Sequence, residues 1–182
     1  AFEIMIAQRL VEKHVERGSM VYLLSSSGNK RGTVALTQAS VLISSIIVLI
    51  VVNTIVGIAC AAIMFPGELD IPAYLMINLG VICLHLAISG LCFFASCISN
   101  DSRLFLSVGV GIPVVFYLIE MLANMGGKLE SLKYFTIFTL FDTDLIMAGD
   151  SKAYIMMAVL LLAAVVLYIL GIKLFEKRDL PI

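Results

Sequence analysis

Residues 34–64 read VALTQASVLISSIIVLIVVNTIVGIACAAIM, 31 positions without a charged side chain. At about 1.5 Å per residue, a helix of that length measures about 46 Å, against about 30 Å of bilayer hydrocarbon. Either it tilts, or its beginning around Val34–Ala39 lies among the headgroups. Three further runs follow. Pro72–Ile98 and Ala153–Ile172 are uncharged, and Leu104–Ile119 is uncharged with apolar character resuming after Glu120 up to Met125. No run alternates with the period of a barrel strand, and in hydrocarbon only a helix or a closed barrel satisfies the backbone. The reading is an all-α, polytopic integral membrane bundle of four transmembrane helices. Its spans cover about 34–64, 72–98, 104–125 and 153–173.

Composition points the same way. The 182 residues are 61% hydrophobic and 14% charged, with a mean hydropathy of +1.08. A soluble domain is about 45–50% apolar and about 25% charged. Too few polar side chains are left here to cover a surface in water. Twelve Lys and Arg face 13 Asp and Glu, a net charge of −1, which leaves no basic footprint for nucleic acid. Cys60, Cys83, Cys92 and Cys97 all lie in apolar runs without a CxxC pair. They read as buried thiols acting as small hydrophobes, not as a disulfide framework or zinc site.

Loop charge sets the orientation. Arg9, Lys13, Arg17, Lys30 and Arg31 precede the first span, Arg103 lies between the second and third, and Lys173, Lys177 and Arg178 follow the fourth. Lys128, Lys133 and Lys152 lie on the opposite side. The positive-inside rule places both ends of the chain in the cytoplasm of a multi-pass cell-membrane protein.

Residues 1–33 form the cytoplasmic segment and 34–182 the transmembrane domain, with a short tail at 174–182. Glu3–Arg17 reads as an amphipathic helix. Ile4, Ala7, Leu10, Val11 and Val15 share one side, while Arg9, Glu12, Lys13, Glu16 and Arg17 fill the other, and Gly18 is the stop. Residues 126–151 hold Tyr134, Phe135, Phe138 and Phe141. So many aromatic rings suit short helices lying in, or dipping into, the outer interface. Gly109, Gly111 and Pro113 predict a kink or break near Gly111. Gly80 and Gly90 offer close approach between helices, although they form no GxxxG pair.

Few residues offer chemistry. Residues 28–33, GNKRGT, lack the GxxxxGK[ST] spacing that wraps phosphates, and neither HExxH nor GxSxG occurs. The chain reads as having no nucleotide site, metal site or catalytic residues of its own. Polar groups inside spans are costly and face protein or water. His85, with Ser89 a turn later, offers a substrate contact or proton relay, against a neutral ring bonded to a neighbouring helix. Asn53 offers a path-lining amide, against an interhelical hydrogen bond. Glu120 and Asn124 share a face near the outer end of the third span, and offer an exit site against an interfacial charge that reaches water.

Two stretches carry a family likeness. Glu12–Ser27, EKHVERGSMVYLLSSS, resembles the cytoplasmic E-x-G-T-x-x-x-L-L-S-x-P segment of type-2 ATP-binding-cassette (ABC) transporter permeases. Ser19 stands for the usual threonine and Ser27 for a frequent proline. The basic pair Lys30-Arg31 follows, as that family's basic residue does. Leu174–Pro181, LFEKRDLP, resembles the terminal F-x-x-R-D-L after the family's last span. The aromatic stretches Leu132–Phe135 and Leu140–Asp142 fit its external segment. The likeness covers essentially the whole chain.

That likeness implies spans three to six of a six-span permease, with two N-terminal spans lying outside this chain. It implies an exporter subunit driven by a separate ABC ATPase, which binds ATP and Mg. It also implies a second permease copy or a homologous permease as partner, with membrane lipid around both. Arg9, Glu12, Lys13, Glu16, Arg17 and Gly18 then form the ATPase-coupling segment. Asn53, His85, Glu120 and Asn124 are the candidate path residues, and lipid-like or amphipathic cargo suits the uncharged spans. A non-transporting membrane scaffold or assembly protein is the rival expectation. A proton-coupled secondary transporter using His85 or Glu120 ranks below it.

Overall fold

The computed structural model describes residues 31–98, 106–125 and 136–177, and every regular element among them is helical. Three helices are long and apolar enough to cross a membrane. They are α1 (Arg31–Met64), α2 (Ile71–Ile98) and α5 (Ser151–Lys177), about 51, 42 and 40 Å long at about 1.5 Å per residue. The coupling residues Arg9, Glu12, Lys13, Glu16, Arg17 and Gly18 lie outside the described residues, as does most of the tail.

Helix α1 accommodates its hydroxyls because they turn back on its own carbonyls. The hydroxyls of Thr37, Ser40, Ser44 and Ser45 donate to Thr33, Thr37, Val41 and Val41 respectively, at 2.7–3.0 Å. A tight turn then reverses the chain. In Phe65-Pro66-Gly67-Glu68 the Glu68 N–H donates to the Phe65 carbonyl at 3.2 Å, and Gly67 sits at φ +88°. Proline and then a left-handed glycine are what a type II turn requires. Asp70 starts α2 by accepting from the Ala73 N–H at 3.2 Å. Pro72 fits in that first turn, where its missing N–H costs nothing.

Helix α2 is the centre. Of its apolar window 56% is buried, against 28% for α5 and 17% for α1. Its main partner is α5, and Gly90 sets their separation. A β-carbon there would stand 3.3 Å from both the Ala164 carbonyl oxygen and the Leu167 Cβ. Gly90 thus makes the close approach expected of it, and Gly80 makes another against the ring of Phe141. The Phe93 and Tyr168 rings meet at 5.3 Å in the same seam. Ser89 Oγ and Tyr168 Oη share a buried 2.8 Å hydrogen bond.

The run expected as one span over 104–125 is composite among the described residues. A π-helical turn (Leu106–Val110) leads into α3 (Gly111–Ala123). The change of helix type falls at the Gly109, Gly111 and Pro113 cluster, with Pro113 buried in the first turn of α3. Among the described residues, the helical rise from Ser107 to Ala123 is about 26 Å. The Cys92 thiol ties the π turn to α2 by donating to the Gly109 carbonyl at 3.1 Å. The cysteines form no disulfide, but Cys60 is exposed on α1, unlike the buried thiol expected.

Beyond α3, a 3-10 turn (Ile137–Leu140) and a short helix, α4 (Thr143–Met147), pack on α2 and α5. Asp142 caps α4, accepting from the N–H groups of Asp144 and Leu145 at 3.0 and 3.2 Å. Phe141 and Ile146 reach down to Gly80. Gly80 lies nine residues, about 14 Å, inside the start of α2. The two ends of the described chain are neighbours. A β-carbon on Gly32 would collide with the Glu176 carboxylate, and buried Phe175 packs in one cluster with Ala35 and Ala39.

Candidate functional site

Of the four candidate path residues, the structure gathers Asn53 with His85 and Glu120 with Asn124, in two separate cavities. The first is a cleft of about 800 Å³ between α1 and α2, lined mainly by valine, leucine and isoleucine with Ser45, Asn53 and His85 among them. The second is a polar crevice of about 240 Å³ where α3 meets the 3-10 turn and α4, lined by Glu120, Asn124, Thr139, Asp142 and Asp144.

The cleft departs from the expectation for its polar residues. Among the described residues His85 bonds no neighbouring helix. Its Nδ1 lies 2.9 Å from the Val81 carbonyl of its own helix. A carbonyl only accepts, so Nδ1 is the donor in this contact, and Nε2 of a neutral ring is the acceptor. Ser89, one turn on, turns to Tyr168 instead. Asn53 is exposed, and its amide has no hydrogen-bond partner among the described residues. The interhelical bond belongs to its neighbour Thr54. The Thr54 hydroxyl lies 2.8 Å from the Ile50 carbonyl and 2.9 Å from Asn78 Oδ1, and Asn78 Nδ2 donates to the Tyr74 carbonyl at 2.8 Å. Thr54 and Asn78 are both buried. Successive residues on a helix point about 100° apart, so one of Asn53 and Thr54 faces α2 and the other faces the cleft.

The crevice is built on a clasp. Thr136 Oγ1 donates to Glu120 Oε2 at 2.7 Å, and Thr139 Oγ1 approaches the same oxygen at 3.4 Å. Thr136 is only 7% exposed. It also starts the 3-10 turn, its hydroxyl accepting from the Thr139 N–H at 3.4 Å. Tyr117 and Phe138 stack edge to face beside it, centroids 6.0 Å apart. Glu120 is therefore held by the chain's own hydroxyls, while Asn124, four residues on, is exposed. The threonines, Asp142 and Asp144 escaped sequence reading. A Thr-x-x-Thr start to a short turn was the available signal. Among the described residues no group of three His, Cys, Asp or Glu side chains is arranged to hold a metal.

No protein-family model, curated protein or solved structure matches the chain.

Proposed function

We propose that this chain is the membrane-spanning permease part of an ATP-driven exporter of the type-2 ABC kind. The observation that carries the reading is the adjacency of Gly32 and Glu176. The chain enters α1 and leaves α5 at one end of the bundle. The two stretches that resemble the family's motifs, Glu12–Ser27 and Leu174–Pro181, flank those two points. The Lys and Arg before α1, after α5 and at Arg103 outnumber those of the other loops, which supports a cytoplasmic place for that end. The crevice beside Glu120 then belongs to the outer end of α3.

The work follows from how the helices are packed. Residues 3–18 precede α1 in the chain, with twelve residues between. Arg9, Glu12, Lys13, Glu16 and Arg17 meet a separate ATPase, which holds ATP and Mg, and Gly18 sets the turn between them and α1. Helices α2 and α5 are locked at Gly90 and form the stiff unit, whereas α1 is largely exposed. Closure of the ATPase pair shifts α1 against that unit, through contacts that differ between the nucleotide states. A second permease copy or a homologous permease supplies the other half of the path.

Reversing the charge of Glu12 and Glu16 together tests this. Co-purification of the ATPase and transport-coupled ATP hydrolysis both fall in that double variant. If both are unchanged, the coupling assignment is wrong.

A further inference from the structure

The α1–α2 cleft carries information about its occupant. Its wall holds Val48, Leu49, Val52 and Val56 from α1 and Val81 from α2, and no Asp, Glu, Lys or Arg lines it. A charged group lodged there would have no counter-ion at a depth where charges are expensive. Yet the wall is not hydrocarbon throughout. The Asn53 amide is exposed without a protein partner among the described residues, and His85, with Nδ1 engaged by the Val81 carbonyl, offers Nε2 of a neutral ring as an acceptor.

The Thr54–Asn78 hydrogen bond fixes where these groups stand. It sets the antiparallel register of α1 against α2, so residue 79 is level with Asn53. His85 is six residues further along α2, about 9 Å deeper. Two hydrogen-bonding stations therefore sit about 9 Å apart in depth along an apolar cleft. The histidine station accepts, and the asparagine station both donates and accepts. Bulk acyl chains satisfy neither.

We infer that the α1–α2 cleft binds an uncharged, lipid-like molecule carrying a hydroxyl or amide N–H donor, held by Asn53 and His85. This deepens the export reading by naming a cargo class, and rests on that reading only for what happens after binding. An ester alone offers no donor to His85, and a cationic or anionic head meets no partner.

The test uses the full-length protein in nanodiscs, with photoactivatable diazirine probes of one chain length. One probe is a monoacylglycerol, one bears a trimethylammonium head, and one is a plain alkane. The monoacylglycerol probe labels the peptides around Val48–Val56 and Val81–His85, and unmodified monoacylglycerol competes. Asn53→Leu or His85→Leu each lowers labelling about five-fold, the size of one neutral hydrogen bond. Leu49→Trp, which fills the cleft, abolishes it. Equal labelling by the three probes, or labelling indifferent to both leucine variants, overturns the proposal. Cross-links from the cleft to another polypeptide or a second copy, in place of lipid, overturn it as well. If labelling behaves as stated but no ATP-driven export of monoacylglycerol follows, the binding site stands and the export reading falls.

Discussion

Replacing Thr136 with valine removes one hydroxyl and leaves the side-chain shape intact. The hydroxyl donates to Glu120 Oε2 at 2.7 Å from a residue only 7% exposed. A hydrogen bond to a carboxylate contributes about 1.5–3 kcal/mol. Glu120 is half-buried and partly regains water, so the lower end applies, about 1.5 kcal/mol or about ten-fold in an opening equilibrium. Thr139 cannot compensate, because its hydroxyl lies 3.4 Å from the same oxygen. The loss falls on the 3-10 turn, whose first N–H bond is also made by Thr136. Hydrogen exchange on the protein in nanodiscs reads the effect directly. Amides of Ile137–Leu140 exchange about ten-fold faster in Thr136→Val, while Ser151–Lys177 is unchanged. Rates within two-fold of the parent refute the clasp. Equal acceleration along α5 also refutes it, because the damage is then global.

Other positions give independent checks. Gly90→Leu drives a side chain into the Ala164 backbone and costs about 1–3 kcal/mol by overpacking, read as a lowered thermal midpoint in detergent. Gly90→Ala needs only a few tenths of an ångström of give and stays close to the parent. A double-mutant cycle of Thr54→Val with Asn78→Leu shows a coupling of about 0.6 kcal/mol, whereas Asn53→Leu with Asn78→Leu shows none. Glu120→Gln alters transport without altering assembly. Unchanged export of every tested substrate leaves Glu120 only its structural bond to Thr136.

The long elements were legible because absence of charge is a one-dimensional signal. The 34–64 run announced α1, and the uncharged run from Pro72 to Ile98 announced α2. The change of helix type near Gly111 and the contact at Gly90 were legible too, since each depends on backbone properties of glycine or proline. Orientation around each helix axis was not. Membrane helices here are apolar on all sides, so no amphipathic stripe says which face packs. Asn53 and Thr54 show the consequence. Both are polar and adjacent, yet only Thr54 reaches Asn78, and composition holds nothing to choose between them. Glu120 was identified as an outer-end carboxylate, but its partners come from a segment whose aromatic residues drew the reading toward the interface. Thr136 and Thr139 matter because of where the fold returns them. A break near Gly111 is what the Gly109, Gly111 and Pro113 cluster predicts, but hydropathy does not register that the turn before it is π-helical.

The central claim is that ATP hydrolysis on another polypeptide moves these helices. The direct measurement is purification of the full-length protein from its native membrane in mild detergent, with identification of the chains that remain bound. The account predicts a stoichiometric ATPase bearing a P-loop and an ABC signature, released by the Glu12 and Glu16 charge reversal. An intact, transport-competent protein that retains no ATPase contradicts it.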